Sequence, residues 1–247
     1  MLHKYSRSFL FLVLTVIVSG CSDSKSNSDE PGTSSMPPED ETESMPQASG
    51  SLNEGLIGPL GGSGLDGEYA QFNDSPFANI SFGPGYFYFE DFEDQMLEHP
   101  GASASAGGFT SFTFGPGFHD SVDADDGVID GISLDGESWF YESSTTGVVW
   151  TFDEQQLNGQ LPTHVGIVWT DGRFDTTFEA FDADGKSLGT VVGQHHDDSF
   201  NGESRDDRFY GVVNYAGVSA IKISNDDRLN GIELDHLHWG YLPAELR

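Results

Sequence analysis

The sequence predicts an all-β protein, an antiparallel β-sandwich of two sheets in the jelly-roll arrangement. Apolar residues in the last quarter of the chain recur with a period of two, as Ile221 and Ile223 do, and then Ile232 and Leu234. Asn-Asp, Asn-Gly and Asp-Gly pairs, which are typical of turns, separate such runs, and no amphipathic helix of three turns is predicted. This alternation is typical of strands that bury one face.

Ten segments have the composition and spacing of strands in such a sandwich. Val165, Ile167 and Trp169 occupy alternate positions in one of them, so we expect these three side chains to face the core. Asp184 and Gly185 predict a hairpin between the strands on either side. The ten segments are 86–92, 110–114, 139–141, 148–152, 164–170, 176–181, 187–192, 209–213, 220–224 and 232–239.

The first and last strands of a jelly roll commonly lie side by side, so we expect 86–92 to pair with 232–239. The apolar positions of the last strand change phase between Leu234 and Leu237. A change of phase within one strand predicts a bulge, here near Asp235, and bulges re-aim side chains.

The first 21 residues have the features of a cleaved bacterial export signal. Lys4 and Arg7 precede an apolar run at 9–18, which is too short to remain as a membrane-spanning helix. The run ends in Val-Ser-Gly-Cys at 18–21, which resembles the lipobox of bacterial lipoproteins. The alternative is an ordinary signal peptide in which the cysteine occurs by chance.

The lipobox resemblance implies that Cys21 becomes the first residue of the mature protein and carries a diacylglycerol and an acyl chain such as palmitate. At about 0.8 kcal/mol per buried CH2, several acyl chains anchor a protein to a membrane permanently. Ser22 favours the bacterial outer membrane and hence the cell surface, whereas Asp23 leaves the choice of membrane open. Cys21 is the only cysteine, so we expect no disulfide.

Composition divides the mature chain into a linker, a domain and a tail. Residues 22–67 are rich in Ser, Asp, Glu, Pro and Gly, and they cannot bury enough apolar area to offset a chain entropy of about 1–2 kcal/mol per residue. We therefore expect a disordered tether at 22–67, one folded and monomeric domain at 68–242 and a short tail at 243–247. The net charge of −31 excludes nucleic acid as an expected partner, because such a surface repels phosphate.

The acidic run 120–131, which begins at Asp120, is the first candidate metal site, with Asp123, Asp125, Asp126 and Asp130 as the expected ligands. Two carboxylates about 4 Å apart repel by about 4 kcal/mol at an effective dielectric of about 20, so a loop that gathers several needs a cation. Calcium fits, because it takes six to eight oxygens in irregular geometry. The spacing departs from the EF-hand pattern, since Leu134 stands where that pattern has a glutamate. The alternative is a solvated acidic turn.

Glu93 and Asp235 form the second candidate metal site. Glu93 directly follows the strand predicted at 86–92, and Asp235 lies within the strand predicted at 232–239, which we expect to pair with it. The predicted bulge would re-aim Asp235 at the sheet edge. We expect a structural calcium ion between them. The alternative is a pair of carboxylates that face water.

The run His-His-Asp-Asp at 195–198 is the third candidate, with ligand types that suit zinc. Four consecutive loop residues cannot all point inward, so a zinc site here would need a further ligand from His236 or His238. We prefer the alternative, a polar loop.

Seven segments together resemble, in the same order, a group of secreted bacterial β-sandwich proteins that have no established activity and often carry a PEP-CTERM sorting signal for exosortase. The strand ends are also similar to galactose-binding-like and MAM domains, in which a Phe-Glu pair and a late Asp help to bind a structural cation. Phe92, Glu93 and Asp235 occupy comparable places. The last six residues contain no sorting helix, so Cys21 would replace that anchor. The segments are 74–77, 88–94, 120–131, 161–172, 178–185, 207–212 and 232–237.

These observations predict a lipid-anchored surface β-sandwich, stabilised by calcium, that binds glycans or extracellular matrix as an adhesion module. Two alternatives stay open, a secreted metal-dependent or glycan-active hydrolase and a structural spacer without a ligand. Acidic residues are too abundant for any one pair to indicate a glycosidase. No Gly-x-Ser-x-Gly elbow, phosphate loop or dinucleotide fingerprint is present, so we expect binding rather than catalysis.

Overall fold

The computed structural model describes residues 51–247 except 112, 135, 198–201 and 228–229. Within these residues, helical structure is limited to four short 3-10 turns, and no helix there has the length and apolar character needed to cross a bilayer. The turns are Phe72–Asp74, Asp123–Asp126, Ser204–Asp206 and Ala244–Leu246. The strands are β1 (Gly55–Leu60), β2 (Tyr86–Glu90), β3 (Ala102–Ala104), β4 (Gly108–Phe109), β5 (Trp139–Tyr141), β6 (Val148–Phe152), β7 (His164–Gly172), β8 (Thr176–Asp182), β9 (Ser187–Gly193), β10 (Arg208–Val213), β11 (Val218–Asn225) and β12 (Ile232–Tyr241).

The predicted two-sheet antiparallel sandwich is confirmed. The larger sheet has seven strands, in the order β1-β10-β7-β12-β5-β4 with β2 also paired to β12, and the smaller has the order β3-β6-β11-β8-β9. Strands β8 and β9 form the hairpin predicted at Asp184 and Gly185. Strand β2, the first of the predicted strands, pairs with the last, β12, as expected.

The main hydrophobic core lies between the two sheets. Val165, Ile167 and Trp169 of β7 all face it, which confirms the predicted alternation, and Trp150 and Trp239 are fully buried with them. Burying a large apolar side chain contributes about 1.5–3 kcal/mol, so this layer supplies most of the stability of the sandwich.

A second apolar cluster covers the outer face of the larger sheet. Val168 and Phe209 project from β7 and β10, and the chain before β2 packs Tyr69 and Phe77 onto them, while Val122 closes the cluster from the loop after β4. Strands β7 and β12 are therefore buried on both faces almost throughout. Polar side chains on the outer face of β12 are enclosed rather than exposed to water.

The predicted bulge is present in β12. Its register with β7 shifts between Asp235 and His238, and His236 has a positive φ of 46°. Leu234 and Leu237 both reach the main core across the bulge. The bulge thereby turns the consecutive residues Asp235 and His236 together toward the covered outer face.

Two predictions about chain organisation are wrong. The tether predicted at 22–67 ends too late, because Gly55–Leu60 forms β1 at the edge of the larger sheet. Its Gly and Pro content resembles a linker, yet an edge strand tolerates Pro59 because one side has no ladder partner. The described residues of 110–114 form no strand, since β4 ends at Phe109 and the backbones of Ser111 and Phe114 bond to each other in a tight turn. The predicted tail contains a 3-10 turn, and its Arg247 lies over the ring of Tyr215 at 4.9 Å.

Candidate functional site

The structure brings together one acid from each predicted calcium site. Asp125 arrives from the 3-10 turn Asp123–Asp126, and Asp235 arrives from the bulge of β12. One ligand atom each from Asp125, Asp235 and His236 lie within 4.8 Å of one another. Two carboxylates and an imidazole form a donor set that suits a divalent cation.

Asp235 is fully buried and is held by backbone donors. Its Oδ2 accepts the N–H of Val122 at 2.9 Å, and its Oδ1 accepts the N–H of His236 at 2.6 Å. Burial and then the neighbouring Asp125 raise the pKa of Asp235, and these two hydrogen bonds oppose the rise. Because two carboxylates this close repel each other, a shared cation or a shared proton is required between them.

His236 connects the acidic pair to the apolar cluster. Its Nε2 lies 3.2 Å from Oδ1 and 3.1 Å from Oδ2 of Asp125, and its Nδ1 lies 3.1 Å from the hydroxyl of Tyr69. Tyr69 itself is fully buried. Hydrogen bonds of this kind fix the orientation of a ligand carboxylate and of the imidazole ring.

The other predicted metal ligands stand outside this group. Asp123 closes its own loop by accepting the N–H groups of Asp130 at 3.3 Å and Gly131 at 3.0 Å. Asp126 accepts the N–H of Val128, and Asp130 accepts that of Ile132. These acids organise the loop that carries Asp125.

Glu93, predicted to face Asp235, is directed to a different partner. Its Oε1 accepts the N–H of Glu137 at 2.6 Å. Partial burial, and then Asp125 and Asp91, raise the pKa of Glu93 to about 7. The charge of Asp125 therefore affects the pKa of Glu93, although Glu93 is not one of the three grouped residues.

A second acidic group, missed from the sequence, consists of Asp120, Asp206 and Asp207. One carboxylate oxygen from each lies within 4.8 Å of the others, and all three residues are buried. Asp120 stands in the run predicted as the first metal loop, but Asp206 and Asp207 carry no local metal pattern. Their only local signal is that two acidic residues stand next to each other directly before β10.

The histidine run lies beside the second acidic group, because a backbone hydrogen bond links His195 to Asp206. His195 packs beside Trp169 and Tyr210 of the main core, with its Nε2 2.6 Å from the hydroxyl of Tyr210. His236 and His238 pack in the outer cluster beside Phe89. The zinc site that would combine these histidines is not assembled, and Asp198 lies outside the described residues, as Cys21 does.

A cleft of about 340 Å3 opens on the larger sheet where β5, β7 and β12 lie side by side. Phe118 from the loop after β4 stands at its wall and is 60% exposed. Phe140 of β5 lines the cleft too, and the exposed Phe114 packs edge-on against Phe140 with ring centroids 5.9 Å apart. The lining residues are Pro116, Gly117, Phe118, Phe140, Glu142, Asp171, Gly172, Arg173, Asn230, Gly231 and Glu233.

Gly231 permits the close approach of Phe140 to the start of β12. A Cβ on Gly231 would lie 2.2 Å from the ring of Phe140, a distance that no real contact allows. The glycine thus places the aromatic ring directly against the strand that carries Glu233.

Two carboxyl groups form the floor of the cleft. Glu233 lies opposite Asp171 in the pairing of β12 with β7 and opposite Phe140 in its pairing with β5. Burial raises the pKa of Asp171 to about 7, and Asp197 and Glu203 add to the rise. Burial and then Asp171 raise the pKa of Glu233, whose Oε2 accepts the N–H of Asp120 at 2.6 Å. Glu233 therefore links the floor of the cleft to Asp120 of the second acidic group.

No family model matches the chain, and neither does any curated protein. Among solved structures, the C-terminal family 22 carbohydrate-binding module from Clostridium thermocellum matches 65% of this chain and 96% of its own at 12% identity, with a TM-score of 0.34. A xylan-binding domain from Paenibacillus barcinonensis matches 65% and 97% at 14% identity and a TM-score of 0.34. The catalytic domain of a GH87 α-1,3-glucanase, in complex with nigerose, matches 64% of this chain and 28% of its own at 13% identity, with a TM-score of 0.34. Likeness at this level does not extend to function.

Proposed function

We propose that the protein binds a neutral polysaccharide in the cleft and does so at the cell surface. The observation that carries the proposal is the exposed ring of Phe118 beside Phe140, in one depression with the polar side chains of Glu142, Arg173 and Asn230. An apolar platform with a few convergent polar groups is the usual composition of a small-molecule site.

Sugar chemistry fits both parts of this lining. A pyranose ring presents C–H groups on its faces and hydroxyls around its rim. The π cloud of Phe118 is negative at its face and attracts the C–H groups, while Glu142 and Asn230 supply acceptors and donors for hydroxyls. A Phe that is 60% exposed contributes little to the core, which is expected of a contact surface.

Charge favours a neutral glycan over an acidic one. Glu142, Asp171 and Glu233 line the cleft with Arg173 as the cation among them, and the chain as a whole carries a net charge of −31. Negative potential of this size repels uronate-containing or sulfated chains.

The direct experiment is affinity electrophoresis of the full chain through gels that contain single polysaccharides. Xylan, a β-glucan and dextran serve as neutral probes, and alginate as the acidic probe. Retardation by at least one neutral probe, with none by alginate, supports the proposal. Migration that no neutral polysaccharide changes contradicts it.

Membrane anchoring and calcium complete the proposed role. The lipobox at 18–21 supports lipidation of Cys21 and display on the bacterial outer membrane. The convergence of Asp125, Asp235 and His236 supports a structural cation, calcium being our choice because most donors are carboxylates. Such a cation would tie the loop after β4 to β12, which carries part of the cleft.

The opposed pair Asp171 and Glu233 favours glycoside hydrolysis as the second candidate. Retaining enzymes place two carboxyl groups about 5–5.5 Å apart, which is close to the spacing of opposite residues on paired strands. Glu233 already accepts the N–H of Asp120, however, and this leaves it less free to act as a nucleophile. Release of reducing ends from a polysaccharide that the gels retard, and its loss in Asp171→Asn, would establish the enzyme.

A further inference from the structure

The second acidic group lies where the larger sheet meets its covering loops. Asp206 ends the 3-10 turn Ser204–Asp206, and Asp207 follows it directly before β10. Asp120 reaches the same point from the loop after β4. Asp120 and Asp206 are each 3% exposed and Asp207 is 0% exposed, so water does not solvate their charges.

Asp207 provides an independent sign that a ligand is required. Neither of its carboxylate oxygens accepts a hydrogen bond from any described residue. The buried Oδ2 of Asp206 accepts none from the described residues either. Asp120, in contrast, accepts the hydroxyl of Ser133 at 2.5 Å. Buried polar atoms in native proteins are almost always satisfied, and burying an unpaired carboxylate is strongly unfavourable.

The nearby arginine does not compensate these charges by direct contact. Arg208 lowers the pKa of Asp206 only as a lesser influence, after burial, Asp171 and Asp197 have raised it. Its Nη1 donates to the backbone oxygens of Arg205 at 3.0 Å and Asp207 at 2.7 Å rather than to a carboxylate. The remaining compensation has to come from a bound cation or from protons.

We propose that Asp120, Asp206 and Asp207 bind a calcium ion, distinct from the ion proposed at Asp125 and Asp235. The donors are all carboxylate oxygens, which a hard cation prefers. At calcium–oxygen distances of about 2.3–2.6 Å, ligands on opposite sides of the ion are about 4.6–5.2 Å apart. One oxygen from each residue lies within 4.8 Å of the others, so a single ion can contact all three. Magnesium is less suitable, because it demands near-ideal octahedral geometry and usually keeps several of its waters, whereas these three side chains are almost fully buried.

The position of this site links it to the floor of the cleft. The backbone N–H of Asp120 is bonded to Glu233, and its carbonyl oxygen accepts the hydroxyl of Thr170 at 2.9 Å. An ion that fixes Asp120 therefore fixes the strand ends that carry Glu233 and Asp171. The ion site itself does not depend on the proposed glycan binding, because its ligands lie outside the cleft lining.

The test is the number of calcium ions bound per chain. The full chain is stripped with EGTA, dialysed against calcium chloride at pH 7.5 and measured by mass spectrometry of metal content. Asp207→Asn should bind one ion fewer than the wild type, and Asp184→Asn, the same change on an exposed hairpin, should bind the wild-type number. Dialysis against magnesium chloride should load this site much less.

Equal calcium content in wild type and Asp207→Asn would overturn the proposal. If Asp207→Asn does not fold, a second variant decides. Calcium should then raise the melting temperature of stripped Asp235→Asn, in which the first cation group is disrupted and the second is intact. No rise in that variant would also overturn the proposal, and neither measurement uses a glycan.

Discussion

Asp171 and Glu233 lie opposite each other on β7 and β12, on the floor of the cleft, and burial raises the pKa of both carboxyl groups. Glu233 of this pair connects the cleft that we propose for glycans to Asp120 of the second acidic group. This pair, the contact between Tyr69 and His236, the proposed cations and the proposed lipid anchor can each be tested separately.

Asp171→Asn should change how stability depends on pH. The pKa of Asp171 rises from 3.8 to about 7 on folding, so the folded state binds more protons between these values. The stabilisation from the protonated form is complete below about pH 4 and is lost as pH rises through about 7. Asn cannot ionise, so the variant should gain stability relative to wild type as pH rises across this window.

Urea unfolding in metal-free buffer from pH 4 to 8.5 measures this difference. Asp184→Asn is the matched control on an exposed turn, and its difference from wild type should vary far less. A difference between Asp171→Asn and wild type that stays constant with pH would show that Asp171 titrates normally.

Tyr69→Phe should destabilise the domain by about 1–3 kcal/mol. The change leaves Nδ1 of the buried His236 without the hydroxyl that lies 3.1 Å away, and an orphaned buried polar atom costs about this much. Tyr86→Phe removes a hydroxyl bonded to Gln160 in an exposed position and should cost less. Denaturant unfolding at pH 7 compares the two, and equal losses would argue against the proposed role of Tyr69.

Asp125→Asn should remove one bound calcium ion and part of the rise in melting temperature that calcium produces. A ligand that binds only the native state must stabilise it, so chelation should lower the melting temperature of wild type. Asp126→Asn alters an acid in the same turn that is bonded to Val128 instead, and should retain calcium. A melting temperature of wild type that EGTA does not change would contradict the calcium sites altogether.

Cys21→Ser should move the protein from the membrane fraction to the soluble fraction. Without the thiol no diacylglycerol can be attached, and in the proposed anchor the acyl chains would supply the affinity for the bilayer. Ser22→Ala keeps the cysteine and should stay with the membrane and incorporate labelled palmitate. Unchanged fractionation of Cys21→Ser would show that the lipobox is not used.

Much of the fold could be predicted from the sequence because two-residue alternation survives where one strand face is buried. The strands at 139–141 and 148–152 have the predicted bounds, and the bulge at Asp235 could be inferred from the shift of phase between Leu234 and Leu237. Strand β1 was missed because its Gly and Pro residues resemble a linker, and only pairing with β10 orders it.

The site was less predictable, because tertiary contacts decide which of the 41 acidic residues meet. Asp125 and Asp235 belonged to two separate predictions, and the bulge brings them together. Asp206 and Asp207 have no local pattern, since their burial comes from the loops that cover β10. The cleft likewise combines Phe118 and Asn230 from loops that are distant in the sequence, so no local spacing of residues predicts it.

The most direct measurement is the dissociation constant of the full chain for the neutral polysaccharide that retards it most, compared between wild type and Phe118→Ala. Loss of the exposed ring should weaken binding about tenfold, which corresponds to about 1.4 kcal/mol. Val192→Ala removes an exposed apolar side chain from β9 of the smaller sheet, away from the cleft lining, and should bind as wild type does. Wild-type affinity in Phe118→Ala, or equal weakening in both variants, would contradict glycan binding in this cleft.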